Sequence, residues 1–181
     1  IYDPDDIPRA EKALSEFKGG RVLIGIFGAP YKCPPAPFEM ALLLNEKFKA
    51  RGVKATVEVF GPQPMSLPIL GQASCDTIES RLEGDGIKFY PNHKATSIEA
   101  DEVVFENKRI SYDLLLGVPP HKPPLAVRES GLVAEGSGWV EIDPRTTETS
   151  FEGVYAIGDV TQIILANKKP LPKAGLFAEL M

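Results

Sequence analysis

The sequence predicts an α/β fold built on a doubly wound parallel sheet, and three observations predict it. Residues 21–27 (RVLIGIF) and 54–60 (KATVEVF) are nearly continuous apolar runs, the pattern of strands buried on both faces. The stretches that follow them carry apolar residues at helical spacing and close on glycine. Beyond residue 90 the pattern shortens into alternating segments separated by turns, the pattern of a small antiparallel meander.

The elements follow in order. Asp5 and Asp6 precede Pro8, and Ala10, Ala13, Leu14 and Phe17 recur at helical spacing up to Gly19-Gly20, which predicts a short helix with an early proline and a glycine stop. Residues 21–27 form the first strand and 28–37 a loop. A helix is predicted over about 35–51, with Phe38, Ala41, Leu42, Asn45 and Phe48 on one face and Gly52 ending it. Residues 54–60 are the second strand, 61–68 a proline-rich loop, and 69–82 a second helix closed by Gly84-Asp85-Gly86. Residues 87–90 make a third strand. The meander falls at 95–98, 102–106 and 109–111, followed by a buried strand at 112–118 (YDLLLGV). The run Pro119-Pro120-His121-Lys122-Pro123-Pro124 is a natural domain connection. Residues 139–142 and 154–157 are expected to be further strands.

Composition bounds the function. The chain has 181 residues, 43% of them hydrophobic and 25% charged, with a formal net charge of −5, which is ordinary for a soluble globular protein and enough for one sizeable core, or one domain plus part of another. A nucleic-acid partner would need a basic stripe; Lys47, Lys49 and Arg51 cluster, but at a helix end, where cations complement the macrodipole. No apolar run is long enough to cross a bilayer. Two cysteines, Cys33 and Cys75, are too few for a disulfide scaffold or a zinc site, so no metal is expected. A reducing, cytoplasmic compartment is the default. The sequence opens at Ile1 and stops at Met181 just inside a predicted helix, and reads as a fragment.

The most specific stretch is Thr149-Ser150-Phe151-Glu152-Gly153-Val154-Tyr155-Ala156-Ile157-Gly158-Asp159-Val160. A threonine, a glycine turn, four apolar residues and a terminal Gly-Asp form a compound pattern. It resembles the second flavin fingerprint of the FAD-dependent pyridine nucleotide-disulfide oxidoreductase superfamily. The resemblance implies a Rossmann-like (FAD/NAD(P)-binding) three-layer domain with a small antiparallel meander, plus a partial FAD domain. It divides the chain into a leading helix and linker over 1–17, a nucleotide-binding-like inserted domain over 18–118 and the C-terminal part of an incomplete FAD-binding domain over 119–181. It also implies that Gly158, Asp159 and Val160 contact FAD, with Asp159 accepting a hydrogen bond from the ribityl chain. Leu171-Pro172-Lys173-Ala174-Gly175 resembles the loop and helix start that lie against the flavin ring, which adds Lys173, Ala174 and Gly175 to the cofactor set. No Gly-x-Gly-x-x-Gly follows the first strand; Gly25-Ile26-Phe27-Gly28 leads into prolines instead. FAD binding by this chain alone should therefore be weak, and the prolines argue against NAD(P).

Tyr31-Lys32-Cys33-Pro34-Pro35-Ala36-Pro37 occupies the turn where a dinucleotide domain would hold phosphate. A thiol just before a helix start and beside a lysine favours its thiolate form. This stretch resembles the cysteine loop of flavocytochrome c sulfide dehydrogenases and sulfide:quinone oxidoreductases. The resemblance implies that Cys33 is a catalytic nucleophile and sulfur carrier that passes electrons to FAD. Its neighbours Lys32 and Pro34 are candidates for the substrate side, and so is His121, which fold logic puts at the carboxyl end of the sheet on the same side as Cys33, where it could act as an acid or base. In those enzymes a second cysteine takes part, and no residue after Cys33 matches it; Cys75 reads as a semi-buried helical thiol. His121 in its loop could also be an ordinary surface histidine. Trp139 reads as core or domain-junction packing.

The expectation is thus an FAD-dependent oxidoreductase, inactive as a fragment, that oxidises sulfide or a thiol/persulfide through Cys33. It takes a small-molecule substrate and an electron acceptor such as a quinone or cytochrome, and no nucleic acid. A homodimer and attachment to the membrane periphery are left open. Two alternatives stand beside it: an NAD(P)H-dependent flavoprotein reductase, type II NADH dehydrogenase-like or disulfide reductase-like, and a flavin-free binding domain on the same scaffold.

Overall fold

The computed structural model describes residues 4–181. Contacts divide it into two compact units, one of residues up to Ala29 with Pro35–Pro120, the other of Pro30–Pro34 with His121–Met181.

The first unit carries helix α1 (Ile7–Glu16), strand β1 (Gly20–Ile26), helix α2 (Ala36–Ala50), strand β2 (Ala55–Phe60), helix α3 (Gln72–Gly84), strands β3 (Lys88–Tyr90), β4 (Ala95–Ile98), β5 (Glu102–Phe105), β6 (Arg109–Ser111) and β7 (Leu114–Val118). The parallel sheet runs β3-β2-β1-β7, and β4-β5-β6 is an antiparallel meander. Val22, Leu23 and Ile24 of β1 are wholly buried, as a central strand covered on both faces requires. Strand alternation divides the load between the layers. Leu23, Phe60 and Tyr90 join Val103, Phe105 and Ile110 of the meander in one core cluster, while Phe89 turns the other way, edge-on to Phe38 of α2 at 5.3 Å. This mixed α/β architecture is Rossmann-like, as the sequence predicts.

Two departures have simple causes. Gly25 serves an aromatic layer: a Cβ there would lie 2.4 Å from the Phe60 ring. Glu58 sits in the middle of β2, 8% exposed. Its charge is met by Tyr90, which donates its hydroxyl at 2.9 Å, and by Arg21, 3.3 Å away, so a buried carboxylate is tolerated within an apolar run. The second helix begins later than its apolar spacing suggests, because a separate 3-10 turn occupies Pro68–Leu70 and Gly71 breaks the backbone at φ +82. On α2 the buried face takes Leu44, with Leu42 only half-covered.

The second unit has fewer regular elements. It carries helix α4 (Leu125–Glu129), strand β8 (Val140–Glu141), a 3-10 turn (Gly158–Val160), strand β9 (Thr161–Gln162) and helix α5 (Gly175–Glu179). β8 and β9 pair in parallel. The expected strand over 154–157 does not form. Its backbone pairs on one side only, through a Glu148–Tyr155 bridge and the Ala156 N–H to Thr147 carbonyl bond. No strand among the described residues pairs with the other edge, and Tyr155 and Ile157 stay 59% and 55% exposed. No helix among the described residues is long and apolar enough to cross a membrane.

Candidate functional site

Pro30–Pro34 belongs to the second unit although its sequence neighbours belong to the first. The loop is folded on itself and held from outside. Tyr31 is buried and its hydroxyl donates to the Pro34 carbonyl at 3.3 Å. His121 donates its main-chain N–H to the Pro30 carbonyl at 2.7 Å, and Cys33 donates its own to the Lys173 carbonyl at 2.7 Å. Lys32 and Lys173 form a parallel bridge. Cys33 has φ +51, a left-handed conformation that costs a non-glycine residue on the order of 1–3 kcal/mol and persists where its surroundings over-determine it. Its thiol is exposed.

Lys173 is the most deeply placed charge in the unit, 6% exposed. Its ammonium donates to the Thr161 carbonyl and stands 4.0 Å from the centroid of the Trp139 ring. Burial lowers the Lys173 pKa from its ordinary value, and the Asp159 carboxylate opposes that shift. The indole face offers negative potential, so the cation is compensated without a direct carboxylate partner. On the same indole, the His121 ring stacks at 5.5 Å with a 30° interplanar angle. Burial lowers the His121 pKa first and Lys32 pushes the same way; the Asp159 carboxylate opposes, Lys173 lowers further, and the Asp159 backbone opposes again. The His121 Nε2 is buried without a hydrogen-bond partner.

Thr161 joins this cluster to the Gly-Asp turn. It is buried, and its hydroxyl donates to the Gly158 carbonyl at 2.8 Å. Gly158 has φ +71, and a Cβ added to it would approach the Ala178 Cβ at 3.2 Å. Its N–H donates to the Met181 sulfur at 3.4 Å. Asp159 follows as the acidic residue of the 3-10 turn, half-exposed, with Val160 beside it. Ala174 precedes α5 in an extended conformation and Gly175 begins the helix. Gly158, Asp159, Thr161, Lys173 and Phe177 are among the residues lining a cavity of about 10 Å³, room for about one water molecule.

Lys32, Cys33, Pro34, His121, Gly158, Asp159, Val160 and Lys173 therefore lie in one unit, tied by the bonds above. Cys75 does not join them; it is wholly buried in α3 of the first unit. Two residues were missed by sequence reasoning. Trp139 reads as packing, yet its ring bears the side chains of both Lys173 and His121. Thr161 belongs to no motif read from the sequence; its carbonyl accepts from Lys173 and its hydroxyl donates to the Gly158 carbonyl.

The family model described as pyridine nucleotide-disulphide oxidoreductase matches residues 38–174. That span includes Asp159 and Lys173 and leaves Cys33 outside. The mitochondrial sulfide:quinone oxidoreductase of Mus musculus is 24% identical over 172 residues, which is 90% of this chain and 38% of that protein. The enzyme of the same name from Dictyostelium discoideum is 25% identical over 173 residues, again 90% and 38%. Among solved structures, the sulfide:quinone oxidoreductase of the hyperthermophilic bacterium Aquifex aeolicus aligns with a TM-score of 0.74 at 23% identity, covering 94% of this chain and 42% of that one. The chain thus spans 38% of the length of these curated relatives, and the structural likeness concerns the fold.

Proposed function

The chain belongs to the pyridine nucleotide-disulphide oxidoreductase family, and from that premise we propose that the whole protein containing it is an FAD-dependent oxidoreductase that oxidises sulfide or a thiol/persulfide at Cys33. The observation that carries this reading is the bond from the Cys33 N–H to the Lys173 carbonyl. It ties the thiol loop to the stretch whose neighbours, Ala174 and Gly175, are expected at the flavin.

The residues present fit one edge of that cofactor. Gly158 takes a positive φ that brings the backbone into a tight turn, and the half-exposed Asp159 follows it with a carboxylate able to accept from a ribityl hydroxyl. The main-chain N–H groups of Ala174 and Gly175 would face the pyrimidine edge, and Val160 would pack beside Asp159. When bound, FAD supplies an acceptor for the electron pair released as the substrate sulfur is oxidised.

The chain's own residues do the rest. Cys33 acts as nucleophile and sulfur carrier, its exposed thiol held at a fixed backbone conformation. Lys32 and Pro34 flank it; the lysine favours an anionic sulfur substrate, and the proline stiffens the turn. His121, whose pKa burial lowers from its ordinary value, lies on the substrate side and holds the loop through its main-chain N–H to Pro30. The partner thiol is expected outside this chain, as are the front half of the FAD site and the surface for a quinone or cytochrome acceptor. The chain alone then binds FAD weakly and turns over no substrate.

Stopped-flow reduction of the flavin in the whole protein tests the proposal. Sulfide should bleach the flavin, NADH should not, and Cys33→Ser should abolish the sulfide reaction. Reduction by NADH and not by sulfide would establish an NAD(P)H-linked reductase instead. A colourless whole protein that cannot be reconstituted with FAD would establish a flavin-free binding domain.

A further inference from the structure

We propose that Trp139 is a positioning residue for Cys33: a single indole anchors the side chains of both residues whose main chains hold the cysteine loop. The two main-chain bonds act at opposite ends of the loop, from His121 N–H to Pro30 and from Cys33 N–H to the Lys173 carbonyl. His121 and Lys173 are far apart in sequence, and nothing local makes them move together. Their side chains meet on Trp139, the imidazole stacked at 5.5 Å and the ammonium 4.0 Å from the ring centroid. The indole is 9% exposed, and what it packs against here is a cation and an imidazole rather than aliphatic side chains alone.

The indole is itself fixed. Its residue precedes β8, its main-chain N–H donates to Ser137 Oγ at 3.1 Å, and its carbonyl accepts from Ala134 at 3.0 Å. Lys173 has a second anchor at the Thr161 carbonyl, which leads to the Gly158–Val160 turn through the Thr161 hydroxyl. Trp139 thus links the thiol loop to the Gly-Asp turn through one shared support. A left-handed Cys33 needs such support, because that backbone conformation relaxes when its surroundings let go. The functional importance of this placement rests on Cys33 being the reacting residue; the placement itself does not.

Hydrogen exchange on the full chain tests it, read by mass spectrometry on the peptide that covers residues 30–34. Exchange there should be about tenfold faster in Trp139→Leu, which keeps bulk without a π face, while β1 and α2 keep their protection. Trp139→Phe, which retains an aromatic face, should restore slow exchange to within about twofold of the parent. Unchanged exchange at 30–34 in a folded Trp139→Leu chain overturns the proposal, and so does equal acceleration across β1, which would mean a general packing role. Should Trp139→Leu fail to fold, Trp139→Met carries the test: it too keeps bulk without a π face, leaves the Lys173 bond to the Thr161 carbonyl in place, and the same local acceleration is expected. No flavin or sulfur substrate enters these measurements, so they can fail while sulfide reduces the flavin, or hold while it does not.

Discussion

The imidazole of His121 stacks on the indole of Trp139 at 5.5 Å and 30°, and its Nε2 is buried with no hydrogen-bond partner. Such a ring is better accommodated neutral than charged, because a protonated Nε2 would bring an unsolvated donor into that space. The lowered pKa has the same sign, with burial as its main cause and Lys32 as the next.

His121 should therefore titrate below its ordinary value of 6.5, read from its imidazole proton shifts and assigned by loss of the signal in His121→Gln. The stability consequence follows from linkage. A depressed folded-state value favours the neutral form in the native chain, so the contribution is present above the ordinary value and is lost as pH falls through the folded one. Lys173→Met should move the titration upward, since Lys173 lowers it. A His121 midpoint at or above the ordinary value would contradict the observed burial.

The two thiols should separate cleanly. Cys33 is exposed and Cys75 is wholly buried, so a native chain treated with iodoacetamide should incorporate one label and an unfolded chain two. Cys33→Ser should leave the native chain unlabelled. Labelling at Cys75 under native conditions, located by peptide mass, would show that α3 opens on the timescale of the reaction.

Within the sheet, Tyr90 donates to Glu58 at 2.9 Å, and its pKa is raised from 10.0, first by burial and then by that bond. A raised folded-state value means that the stabilising contribution is complete below the ordinary value and is lost as pH rises above it. Thermal unfolding followed between neutral and strongly alkaline pH should show this loss in the parent. Tyr90→Phe should flatten that alkaline limb and, at neutral pH, cost about 1–3 kcal/mol for the hydrogen bond withdrawn from a buried carboxylate. An unchanged alkaline slope in Tyr90→Phe would assign the effect to another group.

The elements that sequence reveals best are those whose burial is decided locally. Residues 21–27 and 54–60 read as strands because both faces of each are covered, and the meander reads from its alternation and turns. Glu58 inside the second run is legible only once Tyr90 and Arg21 are seen beside it, since they come from the two flanking strands, β3 and β1, and are remote from it in sequence. The stretch 154–157 shows the opposite error. Its apolar composition suits a buried strand, but its composition cannot tell whether a neighbouring strand is there to pair with it. For the candidate site, Cys33, Asp159 and Lys173 are visible as motif residues. Trp139 is visible only as a bulky apolar residue, because its contacts join positions that are remote in sequence and carry no common spacing. Thr161 is not visible, since a lone threonine outside any motif does not signal that its carbonyl and hydroxyl bridge Lys173 and Gly158.

Gly158 supplies the last prediction. It combines φ +71 with a Cβ position only 3.2 Å from the Ala178 Cβ, so alanine there meets a backbone penalty and a steric one together. The backbone term alone is on the order of 1 kcal/mol for a left-handed residue. The contact can be relieved only by shifting α5 or the 3-10 turn. Either movement displaces Asp159 from Ala174 and Gly175, the two sides of the proposed flavin edge. Gly158→Ala should therefore lower both the melting temperature of the chain and the flavin retained by the whole protein, measured as the ratio of visible to ultraviolet absorbance after desalting. Asp159→Asn separates the two effects. It leaves the turn intact and removes the carboxylate charge, so it should cost flavin retention with little change in melting. If Gly158→Ala lowers the melting temperature while flavin content stays at the parent level, the turn is a packing feature and the cofactor edge lies elsewhere.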